Sequence, residues 1–89
     1  MNTLFLLMAQ YNGLAVIPLD RVCVDYMNLS VEKFKRKRLD GEIDIPVVRL
    51  GPDSQKAGLG IYLKDLADYI DIQRTKALHE QNKLMGRIH

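Results

Sequence analysis

Residues 28–41 read NLSVEKFKRKRLDG, and the assignment of the whole chain turns on them. Ser30 is a good helix N-cap, because its side-chain oxygen can accept from an amide one turn on. Glu32 sets a carboxylate in the positive first turn. With Ser30 as cap, Leu29 takes the position before it and Phe34 the fourth helical position, the pair that staples a helix start. Gly41 then stops the helix, since a left-handed conformation costs glycine little. The spacing predicts a helix over Val31–Asp40. At about 100° per residue, Val31, Phe34 and Leu39 mark its inward side. Lys33, Arg36 and Lys37 share an outward face, while Lys35 and Arg38 fall near the inward margin, where stems pack and charged heads reach solvent.

Upstream, Leu19, Val22, Cys23 and Tyr26 recur at i, i+3, i+4 and i+7, the stripe of a buried helix face, and Pro18 suits a helix start. This predicts a helix over about residues 19–27, joined to the next by Asn28-Leu29-Ser30. Cys23 lies in the stripe and reads as a packed core thiol rather than a nucleophile. Further back, LFLLMAQY (4–11) and LAVI (14–17) flank Asn12-Gly13. Asn-Gly between apolar runs is a hairpin signal, yet it serves equally as a helix C-cap. The Leu, Met, Ala and Gln of the first run favour helix, with Asn2 or Thr3 as cap and a short extended segment after it; a strand over residues 3–11 stays open.

Downstream, IDIPVVRL (43–50) reads as a short strand with Pro46 near its start, a position strands tolerate. GPDSQKAGLG (51–60) is turn-forming, and IYL (61–63) reads as the returning strand. The pair makes a hairpin with a long tip, carrying Arg49 before the tip and Lys56 within it. Gly58 and Gly60 precede a strand rather than a helix, so they form no phosphate loop and read as hairpin flexibility or a bulge. Residues 64–84 read as one helix, with Leu63, Leu66, Ala67 and Ile70 as its stripe and Tyr69 beside them. Asp65, Asp68 and Asp71 drift around it by about 60°, a solvated face rather than a metal site. Beyond Ile72 the apolar positions thin to Ala77, Leu78, Leu84 and Met85, an end that projects or packs against another chain.

Composition narrows the function. Eighty-nine residues make about one domain, read as 1–89 with an N-terminal segment 1–17, a central part 18–63 and a C-terminal helix and tail 64–89. One cysteine excludes an internal disulfide, and His79 and His89 make no zinc spacing. The apolar run from Leu4 to Ala9 lacks a basic flank and is too short to span a bilayer, so the expected location is the cytoplasm, at the nucleoid, with no membrane contact. The net charge of +2 hides an asymmetry: −2 over residues 1–32, +4 over 33–64 and 0 over 65–89. No nucleophile–base grouping is visible, so the chain reads as a binding protein without cofactor or metal, not an enzyme.

The elements together predict an α+β, mainly α fold: a winged helix-turn-helix with a β-hairpin wing and a long C-terminal helix. A charge run on a short helix is most often a solvated face, but this one follows a tight helix turn and precedes a hairpin. A major groove about 12 Å wide admits one helix, while a hairpin reaches the neighbouring backbone or minor groove. The candidate contacts to double-stranded DNA are Lys33, Lys35, Arg36, Lys37, Arg38, Arg49 and Lys56. Arg36 suits a bidentate contact to guanine, and Lys33 and Lys37 suit phosphate or base.

The blocks MNTLFLLMAQYNG, AVIPLDRVCVDY, EKFKRKRLDGEIDIPVVRL and QKAGLGIYLKDLADYID resemble the pyocin-activator (PrtN) family over about residues 1–74. More distantly they look like excisionase and MerR-type winged helices. The resemblance implies a phage-related transcription activator that binds repeated promoter elements and switches on bacteriocin or prophage genes after DNA damage. It aligns the recognition helix with Lys33–Arg38 and the wing with Arg49–Gly60. One such module buries only about 600–1,000 Å² on DNA, so specificity calls for a homodimer or several protomers, with Leu4–Met8 and the helix beyond Ile72 as candidate self-association surfaces. The residues leave open a contact with RNA polymerase. They also leave open two other uses: an excisionase-like architectural protein that bends DNA, and an adaptor whose basic helix binds an acidic protein.

Overall fold

Side-chain caps and left-handed residues set the helix limits. The structure, a computed structural model, describes residues 2–51 and 58–87. Helix α1 (Thr3–Gln10) starts at Asn2, whose side chain accepts from the Phe5 amide at 2.8 Å. It ends as Asn12 and Gly13 turn left-handed (φ 55° and 75°) and the Gly13 amide donates back to the Met8 carbonyl. The Asn-Gly pair is therefore a helix stop rather than a hairpin turn. The chain then extends as β1 (Val16–Pro18) and coils into α2 (Leu19–Val22), one turn long.

The helix predicted over 19–27 changes pitch at its midpoint. A π-helical turn spans Cys23–Met27 and closes at left-handed Asn28 (φ 54°). Leu19, Val22 and Cys23 are buried as the stripe predicts, but Tyr26 is exposed. The wider i→i+5 turn rotates residues beyond Cys23 off the buried stripe, and the Tyr26 hydroxyl instead donates to the side chain of Gln10 on α1. Cys23 is a free buried thiol whose pKa is pushed up by burial and by the charge of Asp20.

Helix α3 (Val31–Leu39) begins where Ser30 accepts from the Lys33 amide at 3.2 Å. At its end Gly41 is left-handed (φ 80°), its amide donates to the Arg38 carbonyl, and the Glu42 amide donates to the Lys37 carbonyl. This is the paired 5→2 and 6→1 closure that leaves few orphan carbonyls. An apolar contact between the two flanking side chains commonly accompanies that closure. Here an ion pair occupies those positions, with Lys37 Nζ 3.5 Å from Glu42 Oε1.

Strands β2 (Val48–Leu50) and β3 (Gly58–Tyr62) pair antiparallel, with Arg49 opposite Leu59. β3 also pairs with β1, so the order is β1-β3-β2 and the returning strand of the hairpin is the central one. Gly58, Leu59 and Gly60, expected in the flexible tip, belong to this strand. Gly60 is required there by proximity: a Cβ would lie 2.4 Å from Val16 Cγ1 and 2.9 Å from the Ile17 carbonyl oxygen. The strand expected over 43–50 shortens to its last three residues. Pro46 has no amide to give a ladder, and Ile43 and Ile45 turn into the core as plugs.

Helix α4 (Leu63–Leu84) follows β3 directly. Leu63, Leu66 and Ala67 are buried and Tyr69 and Ile70 half-buried against them, whereas residues 71–81 are exposed throughout. One apolar cluster, with Phe34, Ile17, Ile61, Leu66 and Val22 at its centre, joins every element except β2. Each such side chain contributes about 1.5–3 kcal/mol by leaving water. Buried Tyr11 donates to Asp25 Oδ2 at 2.6 Å and lies under the Arg21 guanidinium at 5.1 Å, fastening α1 to the π turn. Among the described residues no helix is long and apolar enough to cross a membrane.

Candidate nucleic-acid interface

The outward side of α3 follows from its single anchor. Phe34 is fully buried, and its neighbours on the wheel, Val31 and Lys37, are half-buried. The face opposite Phe34 therefore centres on Arg36 and Glu32, with Asp40 and Lys33 on one side and Leu39 and Lys35 on the other, all exposed. Two expectations change. Leu39, assigned to the inward side, is 83% exposed, because burial is set by Phe34 alone and Leu39 lies about 140° from it on the wheel. Lys37, assigned to the outward face with Lys33 and Arg36, turns partly inward and is held by Glu42. Among the described residues, no ion pair or side-chain hydrogen bond engages the charged ends of Lys33, Lys35 or Arg36.

Arg38 is tied to the hairpin side: its Nε donates to the Ile45 carbonyl at 2.9 Å, fixing the end of α3 against the segment that leads into β2. Between α3 and the hairpin runs a groove of about 290 Å³, floored by Leu19, Phe34, Val47 and Leu59. Lys35, Arg38 and Arg49 wall it, Leu39 stands at its edge, and no acidic side chain lines it among the described residues. Lys35 and Arg38, placed on the inward margin by the sequence, are thus brought together with Arg49 from the other arm of the site. On the far side of the helix, Lys33, Arg36 and Lys37 share a second depression with Asp40 and Glu42. Lys56 lies outside the described residues. What the sequence reading missed is the Arg38–Ile45 tie and the Lys37–Glu42 pair; the latter was legible in principle, since Gly41 folds Glu42 back over the last turn.

The acidic residues of α4 serve elsewhere. Lys64 Nζ lies 3.0 Å from Asp68 Oδ2, and the Thr3 hydroxyl donates to Asp71 Oδ1 at 2.5 Å, joining α1 to α4.

Two helical segments joined by a tight turn, a basic second helix, and an antiparallel hairpin beside it define a winged helix-turn-helix. The family described as pyocin activator protein PrtN matches residues 3–77, and the chain belongs to that family. Membership makes it an activator of pyocin genes, in a family of regulators rather than enzymes. No curated protein and no solved structure matches the chain.

Proposed function

We propose that this activator works by binding double-stranded DNA, with α3 in the major groove and the β2–β3 hairpin along the adjacent backbone or minor groove. The observation that carries this reading is the face of α3 around Arg36, whose three cations are uncommitted, continuous with a groove walled by Lys35, Arg38 and Arg49. A solvated face alone would not need Lys35, Arg38 and Arg49 gathered between the helix and the wing. Arg36, at the centre of the face, reads guanine through its planar fork. Lys33, Lys35 and Arg49 meet phosphate, and Lys37 joins them only by leaving Glu42. Lys56 belongs to the same wing contact. Counterion release supplies most of the affinity.

A gel-shift titration across salt with promoter fragments selected by the protein tests this. Binding should weaken steeply with salt, the log–log slope changing by about 0.9 for each phosphate contact. Arg36→Ala should lose about 1–3 kcal/mol on the selected site and relax its sequence preference. An unchanged specific-to-non-specific ratio removes Arg36 from base reading, and absent or salt-independent duplex binding sinks the DNA reading in favour of an acidic protein partner. DNA bending without a promoter response would mark an architectural protein instead.

A further inference from the structure

The outer half of α4 is a helix without a partner. The chain measures 51 × 31 × 18 Å with a radius of gyration of 15.1 Å, whereas 89 compactly folded residues give about 12 Å. Residues 71–81 are all exposed, and among them Asp71 is tied to Thr3 of α1. An isolated helix of about 12–15 residues is marginal in water, yet this one is terminated deliberately. Gly86 is left-handed (φ 73°), its amide donates to Lys83, and the Arg87 amide donates to the Asn82 carbonyl at 2.7 Å.

The stripe that packs α4 onto the core does not stop at Ile70. Ile70, Gln73, Ala77, Gln81 and Leu84 continue it within an arc of about 80°, with no charge among them. Their spacings are 3, 4, 4 and 3, the same read in either direction from Ala77. Reversal symmetry of this kind is what a helix needs to pair with an antiparallel copy of itself, because a two-fold interface uses one patch twice.

We propose that α4 pairs antiparallel with α4 of a second copy about an axis at Ala77. The small alanine lets the backbones approach at the centre, Gln73 comes level with Gln81 of the partner subunit, and Ile70 comes level with Leu84 of the partner subunit. On one flank, Lys76 lies within a turn of Glu80 of the partner subunit, an opposite-charge pair repeated by symmetry. The foot of the arm is shaped to receive the partner's end. There Met27, Leu29, Ile43, Tyr69 and Ile70 line a groove of about 440 Å³ beside Gln73, with Tyr26 and the Lys37–Glu42 pair completing its lining. Leu84 lies 14 residues, about 21 Å, from Ile70, so in the antiparallel register the end of each arm reaches the groove of the other copy. The pairing rests on the DNA reading only for its consequence, which is to give each assembly two groove-reading heads.

Sedimentation velocity of the full chain without DNA decides the pairing. The 10.2 kDa chain should sediment as a dimer. Ala77→Glu, which keeps a strong helix former but opposes two carboxylates at the axis, should weaken association at least 100-fold while circular dichroism retains the helix. Ala77→Cys should form a disulfide-linked dimer with diamide as oxidant; buried Cys23 does not compete. His79→Cys, on the opposite face of the helix, should not. A monomeric wild type at 100-micromolar concentration, or equal cross-linking at both positions, overturns the proposal. So does a dimer that survives Ala77→Glu but is broken by Phe5→Ser on α1. A chain that pairs yet ignores DNA overturns only the DNA reading, and one that binds DNA with full affinity as a monomer overturns only the pairing.

Discussion

Helices α1 and α3 are nearly the same object seen from the core. They have eight and nine residues, each opens on a side-chain cap, each closes through a left-handed residue, and each buries one of its own side chains fully, Leu7 or Phe34. From outside they are opposites. Helix α1 has no charge, and its outer face shows Phe5, Leu6 and Met8, from 41% to 60% exposed. Helix α3 shows Lys33, Lys35 and Arg36. The difference teaches that in so small a protein the inner face fixes the position of a helix, while the outer face is left free to differ in chemistry without moving it.

The largest effect should come from the inner faces. Phe34→Ala should cost about 3–5 kcal/mol and Leu7→Ala about 2–5 kcal/mol in denaturant unfolding. Against a total of about 5–15 kcal/mol, either loss is a large fraction of the stability. A small loss at Phe34 would break the comparison, because α3 has no other fully buried side chain. The outer faces should behave in the reverse sense. Replacing Lys33, Lys35 and Arg36 together by alanine should flatten the salt dependence of DNA binding by about 0.9 per lost phosphate contact while shifting stability by no more than about 0.5 kcal/mol. Phe5→Ser with Met8→Ser should leave duplex affinity unchanged. Loss of affinity in that α1 variant would place the second helix at the DNA as well.

The caps sharpen the likeness. Ser30→Ala and Asn2→Ala should each cost about 1 kcal/mol, read as matched shifts of the unfolding midpoint. A last effect appears in alkali. Burial, and the hydrogen bond to the Asp25 carboxylate, raise the Tyr11 pKa above its ordinary value of 10.0. The folded state therefore holds this proton more tightly than the unfolded chain, and the stability it adds is present below pH 10 and lost as pH rises past it. Unfolding at pH 9 and 11 should show that decline, and Tyr11→Phe should remove part of it.

How much of this was legible in the sequence depended on whether local rules decided the outcome. Ser30, Gly41 and the Leu63–Ile70 stripe act within one or two turns, so the limits of α3 and the inward face of α4 followed from them, whereas Asn12-Gly13 left a hairpin and a helix stop open. Tyr26 did not, since a 3.6-residue period carries no sign of where a π turn will change it. Leu39 failed because one aromatic, Phe34, outweighed a three-residue apolar arc. The pairing of β1 with β3 joins residues 16–18 to 60–62, too distant for periodicity to connect; its trace was Gly60, read as loose when it is crowded. The candidate contacts fared likewise. The charge run and the expected wing supplied the candidates, but not the grouping, because Lys35, Arg38 and Arg49 meet only when the hairpin docks on α3.

The hydrogen bond from Arg38 to the Ile45 carbonyl has a cost-saving side. An arginine side chain gives up about 2 kcal/mol of rotamer freedom when it is immobilised, and this one is restrained before any ligand arrives. Its Nε is spent, but the two terminal nitrogens of the same rigid fork still carry four N–H groups. A lysine here would keep the charge, lose the tether, and have to be ordered anew at each encounter.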